Sequence, residues 1–156
     1  MSEHPEVRGC VLPLALHYSV TENTWVRVEA DGTATVGMTD VAQNLAGMLL
    51  HAKPKKVGTK RERGKPVATV ESSKWVGPVK SPISGEIVAV NDALAGDATL
   101  INKSPYRDGW IVKLQPSDLT SELATLLTGQ AAVDAYRARI EAEDLKACQH
   151  VEGFEV

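Results

Sequence analysis

Val70-Glu71-Ser72-Ser73-Lys74-Trp75-Val76 joins two strand-like runs, residues 67–71 and 75–80. Both are rich in valine and other strand-favouring residues. The small polar residues Ser72 and Ser73 suit a tight turn. Lys74 is therefore expected at the tip of a β-hairpin, with its amine in solvent and strands holding its backbone on both sides. An amine so placed is open to acylation, whereas most exposed lysines only keep a surface hydrated.

The surroundings read the same way. From Met48 to Leu114 the chain is cut into short runs by Pro54, Gly58, Gly64-Lys65-Pro66, Gly77-Pro78, Pro82, Gly85, Gly96, Pro105 and Gly109. Frequent turns between short β-rich runs predict a small barrel or sandwich. Val67–Val70 and Ile87–Val90 are the clearest strands, and Trp110–Leu114 follows an Asp108-Gly109 turn. Upstream, residues 24–29 and 33–36 alternate around Asp31-Gly32, which predicts a hairpin. Thr39 or Asp40 then caps a short helix through about Leu45, with Gly47 as its stop. Beyond Pro116 the pattern turns helical. Leu119, Leu123, Leu126 and Leu127 share one face, and Thr128 caps a second helix with Val133, Tyr136 and Ile140 at helical spacing. The expected class is mainly β, with one short helix in the N-terminal half and helices at the C-terminal end. Residues 1–147 are expected to form one domain, and 148–156 a tail with no strong pattern.

With 156 residues, 43% hydrophobic and 24% charged, the composition is that of an ordinary globular domain. No apolar run is long enough for a membrane span, and the first residues show no secretory leader pattern, so the expected location is the cytoplasm. The net charge of −3 hides a segregation: residues 1–50 and 117–156 are acidic, and residues 51–116 are basic. Seven of the basic residues, Lys53, Lys55, Lys56, Lys60, Arg61, Arg63 and Lys65, fall within residues 53–65 against a single acid, Glu62. Aromatics are only 4% and none falls within residues 51–65, which argues against nucleic acid and for an acidic protein partner. There is no Gly-x-Gly-x-x-Gly, Walker loop, Gly-x-Ser-x-Gly or His-Glu-x-x-His. His4, His17, His51 and His150 have no ligand spacing, and Cys10 and Cys148 form no Cys-x-x-Cys, so no metal site is expected. The two cysteines are expected to be unpaired small apolar residues. What remains is a passive binding module or a carrier whose chemistry sits on an attached group.

Wider spacing favours the carrier. Gly58 lies 16 residues before Lys74 and Gly85 lies 11 after it. This resembles the lipoyl-domain family, and Ser81-Pro82-Ile83-Ser84-Gly85-Glu86-Ile87 resembles its return strand. The resemblance narrows to the H protein of the glycine cleavage system. Val36-Gly37-Met38-Thr39-Asp40-Val41-Ala42-Gln43 is similar to that family's Gly-x-Thr-Asp-x-Ala-Gln segment. Glu71-Ser72-Ser73-Lys74 is similar to its Glu-Ser-x-Lys lipoylation motif. Asn102-Lys103-Ser104-Pro105-Tyr106-Arg107-Asp108-Gly109-Trp110 is similar to its Asn-x-Ser-Pro-Tyr-x-x-Gly-Trp signature. The three motifs, in order, cover roughly residues 18–140. Biotinyl domains share the fold but carry Met-Lys-Met, which Ser73-Lys74-Trp75 is not.

The resemblance implies a barrel-sandwich hybrid with C-terminal helices. It implies a carrier that is no enzyme and has no catalytic residues of its own. Lipoic acid would be attached in amide linkage to Lys74, with Glu71, Ser72, Ser73 and Trp75 as its immediate surroundings. A lipoate attachment enzyme and dihydrolipoamide dehydrogenase are the implied partners. The chain departs from the family pattern in three places. Asn23-Thr24 stand before Trp25 where the family usually has His-Glu, Trp75 follows the lysine where a small residue is usual, and the 53–65 segment is basic where the family is often acidic. These departures resemble the lipoate-binding proteins of sulfur-oxidising prokaryotes. The arm would then carry sulfur-containing intermediates or electrons, with a heterodisulfide-reductase-like complex as partner. The alternative is a glycine cleavage H protein carrying an aminomethyl group between decarboxylase, aminomethyltransferase and dihydrolipoamide dehydrogenase. An unmodified scaffold with the same fold is a third possibility.

Overall fold

The computed structural model describes residues 3–156. The chain opens with a two-residue pair, β1 (Glu6–Val7) and β2 (Cys10–Val11). Next come β3 (His17–Ser19), β4 (Thr24–Val28) and β5 (Ala34–Met38), a meander whose last turn is the expected Asp31-Gly32 hairpin. Helix α1 (Asp40–Ala46) starts where the capping residue predicts: Thr39 Oγ1 accepts the Ala42 amide at 3.1 Å. It stops at Gly47, whose N–H donates to the Gln43 carbonyl and whose φ of +83° only glycine adopts without strain.

The middle of the chain holds β6 (Leu49–Pro54), β7 (Lys60–Arg61), β8 (Pro66–Ser72), β9 (Val76–Lys80) and β10 (Gly85–Val90). Two one-turn helices, α2 (Ala93–Gly96) and α3 (Leu100–Lys103), lead to β11 (Val112–Pro116). The chain then forms α4 (Leu119–Leu123), β12 (Leu127–Thr128) and α5 (Gly129–Ala142). Strands β12-β3-β4-β5-β11-β10-β7 make one sheet, and β6-β8-β9 make a second. Every pairing is antiparallel. This is the mainly β, sandwich-like fold expected from the sequence, with α1 and α5 where they were placed; the one-turn helices α2 and α3 fall in a stretch read as short strands and turns.

Two further differences stand out. The leucine stripe does not continue as one helix through Leu127. Helix α4 ends at Leu123, because Leu127 and Thr128 pair with Tyr18 and His17 and extend the large sheet by one strand. Local propensity yields there to backbone hydrogen bonds with a distant edge. The cysteines also differ from expectation. They are not unpaired: Cys10 and Cys148, 138 positions apart, form a disulfide with their Cα atoms 5.0 Å apart. Sequence separation hid a contact that α5 creates by returning the chain to β1 and β2.

The core falls into two clusters. One fills the space between the sheets with Val26, Val36, Leu49, Val67, Val70, Ile83, Ile87, Ile111 and Leu114 among others. Full burial of each such side chain contributes about 1.5–3 kcal/mol. The second lies under α5 and joins Tyr18, Trp25, Tyr106, Val133, Tyr136 and Ile140 to the disulfide. Tyr18 and Tyr136 meet edge to face, with ring centroids 5.9 Å apart. Among the described residues, no helix is long and apolar enough to cross a membrane.

Candidate functional site: a lysine hairpin beside a half-apolar groove

Strands β8 and β9 run antiparallel from Pro66↔Lys80 to Glu71↔Val76, so the connecting turn carries Ser73, Lys74 and Trp75. The turn is held from inside. The Ser72 N–H donates to the Trp75 carbonyl at 2.7 Å, and the buried Ser72 Oγ accepts the Lys74 N–H at 3.3 Å. Ser73 and Lys74 are exposed. Glu71 is also exposed and sits across from His51 on β6 and Val76 on β9, on the sheet's outer face. Gly58 lies in the loop between β6 and β7, and Gly85 begins β10, so the two offset glycines border the return strands.

The lysine side chain lies against a second element. A Cβ at Gly47 would fall 3.0 Å from Lys74 Cε and 3.6 Å from Nζ. The bare backbone at the end of α1 is therefore a platform under the aliphatic stem. No carboxylate is within ion-pair distance of Lys74 among the described residues.

That platform is fixed by a buried polar chain. Asp40 Oδ1 accepts from Gln43 Nε2 at 2.7 Å, and Gln43 Oε1 accepts from Asn102 Nδ2 at 3.0 Å. Asn102 also donates to the Gly47 carbonyl and accepts the Leu49 amide, both at 2.9 Å. The Tyr106 hydroxyl accepts the Asp40 amide at 2.9 Å and donates to the Val11 carbonyl. Burial holds this phenol's pKa well above the usual tyrosine range, so it stays protonated as a donor. The Thr39–Asp40–Gln43 and Asn102–Tyr106 motifs are thus parts of one device that seats α1.

Beside the lysine runs a groove of about 350 Å³. Its apolar wall is Met38, Ala42, Leu45, Ala46, Pro78 and Val79, with the Trp75 ring at the rim. Trp75 is 41% exposed and folds back over Gly77, where a Cβ would come within 2.3 Å of the ring. Its polar wall is Glu22, Asn23 and Thr24. Sequence reasoning had placed no carboxylate here. The structure does, because the backbone turns at Asn23 (φ +57°) between β3 and β4 and brings Glu22 to the groove. Asn23 itself is occupied, its Oδ1 accepting from Arg139 Nη1 at 2.8 Å and the Tyr136 hydroxyl at 3.3 Å. Thr24 Oγ1 is buried and has no hydrogen-bond partner. The sequence singles out Asn23-Thr24 by their departure from the family pattern; Glu22, Leu45 and the role of Gly47 under the lysine were missed, since the β3–β4 turn and the end of α1 meet the hairpin only in the fold.

A flexible acyl arm on Lys74 fits these surroundings. The amine is exposed and unpaired, the stem has a glycine platform, and a half-apolar groove with an orphan hydroxyl opens alongside. A small β sandwich that displays a lysine this way is a swinging-arm carrier. The sequence matches the glycine cleavage H-protein family over residues 16–139, and the chain belongs to that family. The chain is 46% identical to glycine cleavage system H protein 3 of Aquifex aeolicus over 143 residues, covering 90% of this chain and 89% of that one. It is 45% identical to the glycine cleavage system H protein of Salmonella arizonae over 132 residues, covering 85% and 98%. The crystal structure of the Mycobacterium marinum glycine cleavage system H protein superposes with a TM-score of 0.68 at 29% identity, covering 80% of this chain and 98% of that one. The protein is accordingly a lipoyl-carrier component of a multienzyme system and not itself an enzyme; the family carries lipoic acid covalently on a lysine.

Proposed function

We propose that Lys74 is the lipoylated residue, and that the arm carries an aminomethyl group between the decarboxylase, the aminomethyltransferase and dihydrolipoamide dehydrogenase of a cytoplasmic glycine cleavage system. The observation that carries this reading is Glu22 on the wall of the groove beside Lys74. In amide linkage, lipoate supplies an exchangeable disulfide whose opened form accepts the cargo. The chain's own residues present and shelter it. Ser72 fixes the turn, Gly47 lets the stem lie flat, and Leu45, Ala46, Trp75 and Val79 cover apolar surface. Glu22 gives a cationic amine a counter-charge. A buried amine without such a partner costs several kcal/mol. The names of the relatives support the same reading.

Partner enzymes, including the lipoate attachment enzyme, would meet the outer face of the β6-β8-β9 sheet. His51, Lys53, Thr69, Glu71, Val76, Pro78 and Lys80 point outward there, and apolar Leu50, Trp75 and Val76 are exposed near the tip. Among the described residues, none of Lys53, Lys55, Lys56, Lys60, Lys65 and Lys80 is in an ion pair. Lys53 and Lys80 on this face, with Lys55, Lys56 and Lys65 on the adjoining loops and Lys60 on β7 of the other sheet, suit an acidic partner surface.

A second reading keeps the carrier and changes the cargo to sulfur-containing intermediates or electrons, delivered to a heterodisulfide-reductase-like complex. It is favoured by the occupied side chain of Asn23 and the basic sheet face. Reconstitution with glycine decarboxylase and aminomethyltransferase separates the two. Turnover by the lipoylated protein, with a several-fold shorter lifetime of the loaded form in Glu22→Gln, supports aminomethyl carriage. No turnover, with normal reoxidation by dihydrolipoamide dehydrogenase, would replace it with the second reading.

A further inference from the structure

The residues that follow α5 return across α1 and are fastened to it. Asn44, on the exposed face of α1, donates through Nδ2 to the Lys146 and Ala147 carbonyls at 3.4 and 3.2 Å. Its Oδ1 accepts the Gln149 amide at 2.9 Å. The Cys148 N–H donates to the Arg8 carbonyl at 2.9 Å, and Cys148 Sγ is bonded to Cys10 on β2. His150 Nε2 donates to the buried Asp40 Oδ2 at 2.7 Å, and Phe154 stacks on the imidazole with centroids 3.6 Å apart. Asp40 begins the polar chain that ends at Gly47, under Lys74. The tail and the carrier platform therefore share α1.

We propose that Cys10–Cys148 is a reversible thiol–disulfide exchange site, with a dithiol as its substrate, and that its oxidation state decides whether the tail stays clasped on α1. This rests on the cytoplasmic location in the reading above and not on the cargo. In a reducing compartment, a disulfide in an ordinary protein is expected to be transient, catalytic or sensing. The means of access is built in. Beyond Ala142 the tail has no helix or strand; it is held by isolated hydrogen bonds from α1, Arg8 and the Lys103 carbonyl and by half-buried Leu145, Phe154 and Val156, so it belongs to the lower-stability end of the molecule. Closed, Cys148 is 9% exposed and Cys10, on β2, is 2% exposed. Opening the tail uncovers Cys148 Sγ first.

The exchange balances. A thiolate of the dithiol attacks Cys148 Sγ, and Cys10 departs as a thiolate and takes up a proton. The second thiol of the reductant then displaces Cys148 from the mixed disulfide. The protein gains two electrons and two protons, and the reductant leaves as a cyclic disulfide. Without the covalent link, the tail keeps only the hydrogen bonds of Asn44 and His150 on α1 and those of Arg8 and the Lys103 carbonyl beside it, with its apolar packing. Asp40 then loses its imidazole partner whenever the tail lifts, and of the two bonds at its Oδ2 only the one from the Val11 amide remains to fix the start of the polar chain below Lys74.

Dithiothreitol, at varied ratios of reduced to oxidised form, is the probe, with the whole chain as lipoylated carrier and as Lys74→Arg so that the arm's own dithiol is not counted. Thiol alkylation with intact mass reads the redox state, and hydrogen exchange reads the clasp. The expected result is a reversible native-state titration. Reduction should speed exchange in residues 144–156 and in α1 about tenfold beyond any change in β8 and β9, which follows global stability alone. Asn44→Ala, which keeps both cysteines, should be reduced at least about fivefold faster, since it removes three exposed hydrogen bonds to the tail and even one is worth roughly that factor in opening. Cys148→Ser should show the reduced exchange pattern with no dithiothreitol present. Resistance to reduction until the whole protein unfolds would overturn the proposal, as would reduction that leaves exchange in the tail and α1 unchanged. Either result would make the bond a structural staple.

Discussion

The hairpin end and the clasp end of this molecule solve opposite problems. At the hairpin, Lys74, Trp75, Val76 and Leu50 stand in solvent, and the nearby lysines have no ion-pair partners among the described residues. At the clasp, Asp40, Gln43 and Asn102 are buried and satisfied by one another, and the covering segment is tied down by a disulfide. Rigidity at one end lets the other stay exposed without losing its geometry. Gly47 is where the two meet, since it closes the polar chain and carries the lysine stem.

If that division holds, substitutions at the two ends should separate function from stability. Lys74→Arg should abolish lipoylation entirely, read by intact mass, while thermal unfolding stays close to wild type because the site is exposed. An adduct at Lys80 or Lys103 would break the assignment. Asn102→Ala should cost about 2–3 kcal/mol in urea unfolding, because it strands the Leu49 amide and the Gly47 carbonyl in the interior. A cost under about 0.5 kcal/mol would mean that the polar chain does not seat α1. Gly47→Ala should cost about 1–2 kcal/mol through its positive φ, and should also change the rate of Lys74 acylation. Unchanged acylation would deny the platform its role. Lys55→Glu, Lys56→Glu and Arg61→Glu together should move stability by less than about 0.5 kcal/mol. They should nevertheless slow association with an acidic partner and flatten its salt dependence, with little change in dissociation, as stopped-flow kinetics would read.

The sequence carried the hairpin end well. Ser72-Ser73-Lys74, the Asp31-Gly32 turn and the Thr39 cap are local signals, each decided within a few residues, and the structure places all three as read. The clasp was illegible for a physical reason. Its contacts join residues more than a hundred positions apart, such as His150 with Asp40 and Cys148 with Cys10, and no periodicity records such pairs. The groove lies between these extremes. Trp75 was singled out from its place beside the lysine. Glu22 was not, because only the left-handed turn at Asn23 brings it to the wall. Leu127 misled the reading for a related reason: it continues a helical stripe, yet an open strand edge at Tyr18 claims it.

The disulfide has one more consequence, which belongs to the unfolded chain. By joining residues 138 positions apart it turns nearly the whole denatured polypeptide into a closed loop. In the chain-entropy picture, closing a loop of that length removes freedom worth about 5 kcal/mol from the denatured ensemble. The carrier hairpin lies wholly inside the loop, so it gains thermal resistance from a bond that lies outside its own three-stranded sheet. The surrounding thiol balance would therefore set the melting temperature of the arm's mounting, even where the folded hairpin is the same in both redox states.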